Sequence, residues 1–210
     1  AAMYQNFTER TQGTIELWMR RTTASTCDFS LELYNQSNTS DFGVKLASRI
    51  RFADNGGNDI FATQTGGDLD SGENWIEDTW YHVRVEFNCM FDTYNFSLNN
   101  QFIGTYDFYY PVDYITSVRL TTTTSGTGLR GYADAIGYSW DPNYEIGDNL
   151  DEGLLFRYDN STNLEWTGYS LDGAANKTIS GNTTIPFPDD GPHSVQIFAN
   201  DTFGIHLQSS

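Results

Sequence analysis

Apolar and polar positions alternate along most of the chain. Residues 14–20 show a period of two: Ile15, Leu17 and Met19 point one way, Glu16, Trp18 and Arg20 the other. Residues 80–87 repeat it, with Tyr81, Val83, Val85 and Phe87 on one face. The same signal predicts strands over 27–34, 44–52, 59–64, 93–98, 101–108, 115–122 and 131–140. Asp54-Asn55-Gly56-Gly57 and Thr65-Gly66-Gly67-Asp68 read as turns, and Asn99-Asn100 between two alternating runs reads as a tight hairpin. Helix signals are confined to 148–155, enough for a turn or two.

Many alternating strands without helices predict an all-β fold, an antiparallel sandwich of two sheets. After about residue 148 the strands become shorter: 154–158, 166–171, 183–187, 193–199 and 204–207. Leu171-Asp172-Gly173 and Pro188-Asp189-Asp190-Gly191 separate them. The expected organisation is a larger sandwich over 1–147 and a smaller, immunoglobulin-type sandwich over 148–210. That second piece is short for such a domain, which usually has about 100 residues.

Charge narrows the partners. The chain carries 28 acidic residues against 11 Lys and Arg, a net −17, so a nucleic acid or anionic membrane is not the expected partner. Aromatic residues make up 15% of the 210, which fits a globular chain. No run of 18 apolar residues exists, so no membrane insertion is expected of this segment. Ala1 opens the chain without an initiator Met, which reads as a processed or excised piece.

Eight Asn-x-Ser/Thr sequons lie at Asn6, Asn35, Asn38, Asn95, Asn160, Asn176, Asn182 and Asn200. Chance would give roughly three, so the excess points to glycan acceptors on an extracellular, cell-surface protein. In that oxidising setting Cys27 and Cys89 suit one disulfide. It would close a loop worth about 4 kcal/mol of chain entropy; two separate buried thiols are the alternative.

Four ordered stretches resemble the laminin G-like, or concanavalin A-like, jelly roll. They are Gly13-Thr14-Ile15-Glu16-Leu17-Trp18-Met19, Trp80-Tyr81-His82-Val83-Arg84-Val85-Glu86-Phe87, Phe96-Ser97-Leu98-Asn99-Asn100-Gln101-Phe102-Ile103-Gly104 and Asp134-Ala135-Ile136-Gly137-Tyr138-Ser139. The tail, through Tyr169-Ser170-Leu171-Asp172-Gly173, Gly191-Pro192-His193-Ser194-Val195 and Asn200-Asp201-Thr202-Phe203-Gly204, resembles immunoglobulin-like modules of large prokaryotic, especially archaeal, surface proteins. The resemblance implies strands beyond both ends of the chain. Either the chain is a fragment, or neighbouring copies supply the missing strands.

Candidate chemistry is sparse. Jelly-roll glycosidases carry closely spaced acids along one strand; here Glu16 has Trp18 as its same-face neighbour and Glu86 has Asn88. His82 and Arg84 share a strand face, the one hint of lyase chemistry. The jelly-roll resemblance implies calcium at a rim, and Asp68, Asp70 and Glu73 in a Gly-rich stretch are the candidate ligands. Oxygen-rich loops at Asp54, Asn58 and Asp59, and at Asp141, Asp148 and Asp151, are further candidates. Tyr106, Phe108, Tyr109 and Tyr110 form an aromatic cluster that could stack on sugars or pack inward. The expected role is a non-catalytic module for adhesion or glycan binding, with glycans or other surface proteins as partners. The alternatives are a structural subunit of a surface layer, sheath or filament built from further copies of itself, and an accessory domain of a larger surface enzyme.

Overall fold

The computed structural model describes residues 2–22, 28–35, 46–54, 57–123, 130–142, 144–147, 154–156, 164–181, 183–185, 193–203 and 206–208. The chain divides into two compact units, Ala1–Ile146 and Gly147–Ser210. All regular structure among the described residues is β, and every strand pairing is antiparallel.

The first unit is a sandwich. One sheet contains β1 (Ala2–Arg10), β3 (Asp28–Tyr34), β4 (Leu46–Phe52), β5 (Asp59–Gln64), β6 (Gly67–Asn74) and β10 (Ile115–Thr123), in the order β1-β10-β3-β4-β5-β6. The other contains β2 (Gln12–Arg21), β7 (Trp80–Asn88), β8 (Thr93–Leu98), β9 (Gln101–Asp107) and β11 (Gly131–Tyr138), in the order β11-β2-β7-β8-β9. The alternation read from sequence decides what lies between them. Ile15, Leu17 and Met19 of β2 pack inward with Val83, Val85 and Phe87 of β7 and Phe96 of β8. From the six-stranded sheet Leu31, Leu33, Ile50, Phe52 and Ile60 meet them. Burying each such side chain contributes about 1.5–3 kcal/mol to holding the two sheets together.

Turns follow the local chemistry. Asn99 and Asn100 take φ of 50° and 64°, the doubly left-handed turn whose twist matches a two-residue hairpin. Asn side chains tolerate that region better than most residues. On the outer face of β2, Gly137 lies opposite Glu16, and a Cβ there would overlap the Tyr144 ring that covers it.

Two strands of the first unit were not expected. β1 presents nearly every side chain to solvent, so it lacks a clean apolar stripe; Phe7 packs against the core and pairing with β10 holds the strand. β6 covers the Gly- and Asp-rich stretch read as a loop. Its propensity is poor; ladder bonds to β5 and ion pairs from Asp68 to β4 hold it.

The second unit holds β12 (Leu154–Phe156), β13 (Leu164–Leu171), β14 (Lys177–Thr178), β15 (Thr183–Ile185), β16 (Val195–Asp201) and β17 (His206–Gln208). β12 pairs with β15, and the rest form a sheet in the order β14-β13-β16-β17. Tyr169, Ile185 and Ala199 are its buried apolar residues among those described. Leu154–Phe156 is strand, inside the strand expected over 154–158; of the helical turn read over 148–155, residues 148–153 lie outside the described residues.

Cys89 is a free, buried thiol whose Sγ lies 3.8 Å from the Arg10 carbonyl oxygen. Cys27, its expected partner, lies outside the described residues. Burial, then Asp92 and Asp113, push the Cys89 thiol up to about 11, which leaves little thiolate at neutral pH. Iodoacetamide at pH 8 is therefore expected to alkylate the Cys89 peptide only after denaturant is added, without reductant. Labelling of the native protein, or a requirement for reductant, would contradict this.

Candidate functional site

The outer face of the six-stranded sheet concentrates charge that strand register brings together. Arg119 on β10 lies opposite Glu32 on β3, Glu32 opposite Arg49 on β4, Arg49 opposite Thr63 on β5, and Thr63 opposite Asp68 on β6. This is one row across five strands. Two residues along, Thr121, Ser30, Arg51, Phe61 and Asp70 form a second row. Period-two alternation makes this possible: Leu31, Ile50 and Ala62 between these positions point into the core.

The row is closely coupled. Glu32 is fully buried, and its Oε2 lies 3.2 Å from Arg119 Nε and accepts from the Tyr34 hydroxyl at 3.0 Å. Arg49 donates through Nε to Thr63 Oγ1 at 3.0 Å and through Nη2 to Asp68 Oδ1 at 2.9 Å. The Thr63 hydroxyl also donates to Asp68 Oδ1. Arg51 Nη1 reaches Asp68 Oδ2 at 3.0 Å and Asp28 Oδ2 at 3.4 Å, and its guanidinium lies 5.0 Å from the Phe61 ring centre. Burial raises the Glu32 pKa despite Arg119, Tyr34 and Arg49. At Asp68 burial is outweighed by Thr63, Arg49 and Arg51, which hold its carboxyl below the usual range. Glu32 Oε1, Ser30 Oγ and Arg51 Nε are buried and make no hydrogen bond. Such groups are uncommon in folded proteins.

The sequence-flagged residues fare differently. Asp68 is held by two arginines, and Asp70 Oδ1 accepts from the Gly72 amide at 2.9 Å. Glu73 follows a bulge and pairs with Ile60 instead, so the three acids do not converge. Among the described residues no three His, Cys, Asp or Glu side chains gather to hold a metal. Tyr106 and Phe108 are buried and stack beside Tyr94, at 5.5 and 6.5 Å between ring centres; they are core, not a ligand platform. Tyr109 and Tyr110 pack edge to face at 4.6 Å, with Tyr110 38% exposed. Asn6 and Asn176 are exposed, and Asn35, Asn95 and Asn200 half-buried; Asn38, Asn160 and Asn182 lie outside the described residues.

His82 and Arg84 join a cluster beneath Tyr144. Arg84 Nε donates to Glu16 Oε2 at 2.9 Å, His82 Nε2 lies 3.6 Å from the same oxygen, and the Tyr144 hydroxyl donates to Oε1. Burial lowers the His82 pKa, so the ring is neutral at pH 7. At 1% exposure it does not face a substrate. Arg49, Arg51, Arg119 and Glu32 were not singled out from sequence. The available signal was Arg49-Ile50-Arg51, two cations on one strand face in a chain with few.

No family model matches the chain, and no curated protein matches its sequence. Among solved structures, a tetrameric galectin from the sponge Cinachyrella sp. superposes with a TM-score of 0.50 at 16% identity, covering 66% of this chain and 99% of that one. The first unit has a jelly-roll sandwich fold. Xenopus laevis galectin-Ib gives 0.49 at 16% identity, covering 66% and 99%. A sialidase gives 0.49 at 12% identity; the match covers 59% of this chain and spans only 10% of that protein. These likenesses concern the jelly roll and do not extend to an immunoglobulin-like assignment of the second unit.

The Glu32 shift has a sign. A carboxyl whose pKa is raised by folding contributes most stability when protonated, and loses it as pH rises from the ordinary carboxylate value through the folded one. Glu32→Gln is therefore expected to gain melting temperature over wild type at pH 7, with the gain shrinking toward pH 4. A gain that grows on acidification would contradict the assignment.

Proposed function

We propose that this chain is a non-catalytic, extracellular saccharide-binding module and that the arginine–carboxylate rows of its six-stranded sheet form the ligand face. The coupled row Arg119–Glu32–Arg49–Asp68, with Arg51 against Phe61, carries the reading. Sugar hydroxyls are both donors and acceptors. A fixed array of guanidinium, carboxylate and hydroxyl groups satisfies them through charge-assisted bonds. The ion pairs already hold these long side chains, so little rotamer entropy remains to be lost on binding. Three of the few cations in an acidic chain share this face, which favours a saccharide that accepts hydrogen bonds or bears a carboxylate. The lectin-like fold and the sequon excess support an adhesive role at a cell surface.

The test is a glycan array probed with the whole chain, followed by Arg49→Ala and Arg51→Ala. Retention on at least one glycan is expected, with affinity for it falling about tenfold or more in each variant, as for central contact residues elsewhere. Unchanged circular dichroism would separate lost binding from lost folding. Variants that bind like wild type would overturn the reading.

A structural role is the second reading, supported by β1. It is an edge strand, and its Met3 and Tyr4 are 59% and 57% exposed. An open, partly apolar edge is a template for pairing with another copy. Light scattering on a sizing column separates the two: the binding module is expected to run as a monomer, and concentration-dependent assembly abolished by Met3→Lys would favour scaffolding.

A further inference from the structure

The five-stranded sheet has its own groove, on the face away from the core. Its volume is about 450 Å³, within the range of small-molecule sites. Thr14, Glu86, Asn88, Thr93 and Asn95 line it, with Phe91 at its side. Phe91 is 69% exposed, and Met90 before it is 82% exposed.

That exposure is enforced rather than incidental. The turn that carries Phe91 is pinned on both sides. The Cys89 amide donates to the Thr11 carbonyl at 2.8 Å, and the Met90 amide to Asn88 Oδ1 at 2.9 Å. Beyond Phe91, the Phe108 amide donates to the Asp92 carbonyl at 2.6 Å and the Val112 amide to Asp92 Oδ1 at 3.2 Å. Asp92 itself takes φ of 52°, a left-handed conformation that Asp tolerates better than most residues. The aromatic ring therefore stands in water on a fixed turn. The floor is ordered too: the Thr105 hydroxyl donates to Asn95 Oδ1 at 2.7 Å, and Asn95 Nδ2 donates to Glu86 Oε2 at 3.2 Å.

We propose that this groove is a second saccharide site, specific for a neutral sugar. The Phe91 ring supplies an apolar plane for the C–H face of a pyranose, and Glu86, Asn88 and the two threonines meet its hydroxyls. The lining contains a carboxylate and no cation, so an anionic sugar is disfavoured, unlike at the arginine face. Asn95 serves as floor, with its amide engaged, rather than as a glycan acceptor. The jelly roll then presents sugar-binding groups on both of its outer faces and can bridge two glycan chains. This site stands or falls independently of the arginine face.

The experiment titrates short neutral oligomers of glucose, galactose, mannose and N-acetylglucosamine into the whole chain by calorimetry. It is repeated with Phe91→Ala, Glu86→Gln and Arg49→Ala. Phe91 is exposed, so its alanine variant is expected to fold. At least one oligomer is expected to bind, with affinity about tenfold weaker in Phe91→Ala and Glu86→Gln and unchanged in Arg49→Ala. Loss confined to Arg49→Ala would overturn this site while supporting the arginine face. Absence of binding by every neutral oligomer would overturn it, as would peptide mapping that finds a glycan on Asn95.

Discussion

A carboxylate at the centre of a β-sheet has to be compensated, and Glu32 imposes that requirement here. It is fully buried on β3, the third strand of six. Leaving such a charge without its partner costs roughly 3–5 kcal/mol. Arg119 and Arg49, its cross-strand neighbours, are therefore constrained in position, and Tyr34 closes over the same group. Arg49 in turn binds Asp68, which recruits Arg51, which reaches Asp28. A single buried acid thus organises polar side chains over most of the outer face. The same ties hold β6, whose sequence has little intrinsic reason to be a strand.

The two faces of each sheet divide the work. The inner faces are nearly all apolar and account for most of the stability. The outer faces are where polar groups are fixed by register instead of by loops. This is a rigid way to build a recognition surface, because each side chain position is set by strand pairing. The Glu16–Arg84–His82 cluster under Tyr144 shows the opposite use of the same geometry. There Glu16 and His82 are buried and Arg84 is partly exposed.

Much of the fold was legible in the chain. Alternation located β2, β7 and β8, and the Asn99-Asn100 pair announced its turn, because those signals are local. β1 and β6 were missed because their stability comes from partners distant in sequence. The site was less legible for the same reason. Arg49 and Arg51 are visible as a pair on one strand, but nothing local shows that Glu32, Asp68 and Arg119 lie beside them. Tyr106 and Phe108 drew attention as aromatics before Pro111, yet a sandwich this rich in rings must bury most of them. The acids at Asp68, Asp70 and Glu73 are close in sequence, whereas strand pairing sets Asp68 against two arginines and shifts Glu73 past a bulge.

The most direct measurement of the central claim is a crystal structure of the whole chain with an array-retained oligosaccharide. The saccharide is expected over Arg49, Arg51 and Phe61 on the six-stranded sheet, with hydrogen bonds to the guanidinium groups. A saccharide seated elsewhere with this face empty, as on residues 147–210, would contradict the account.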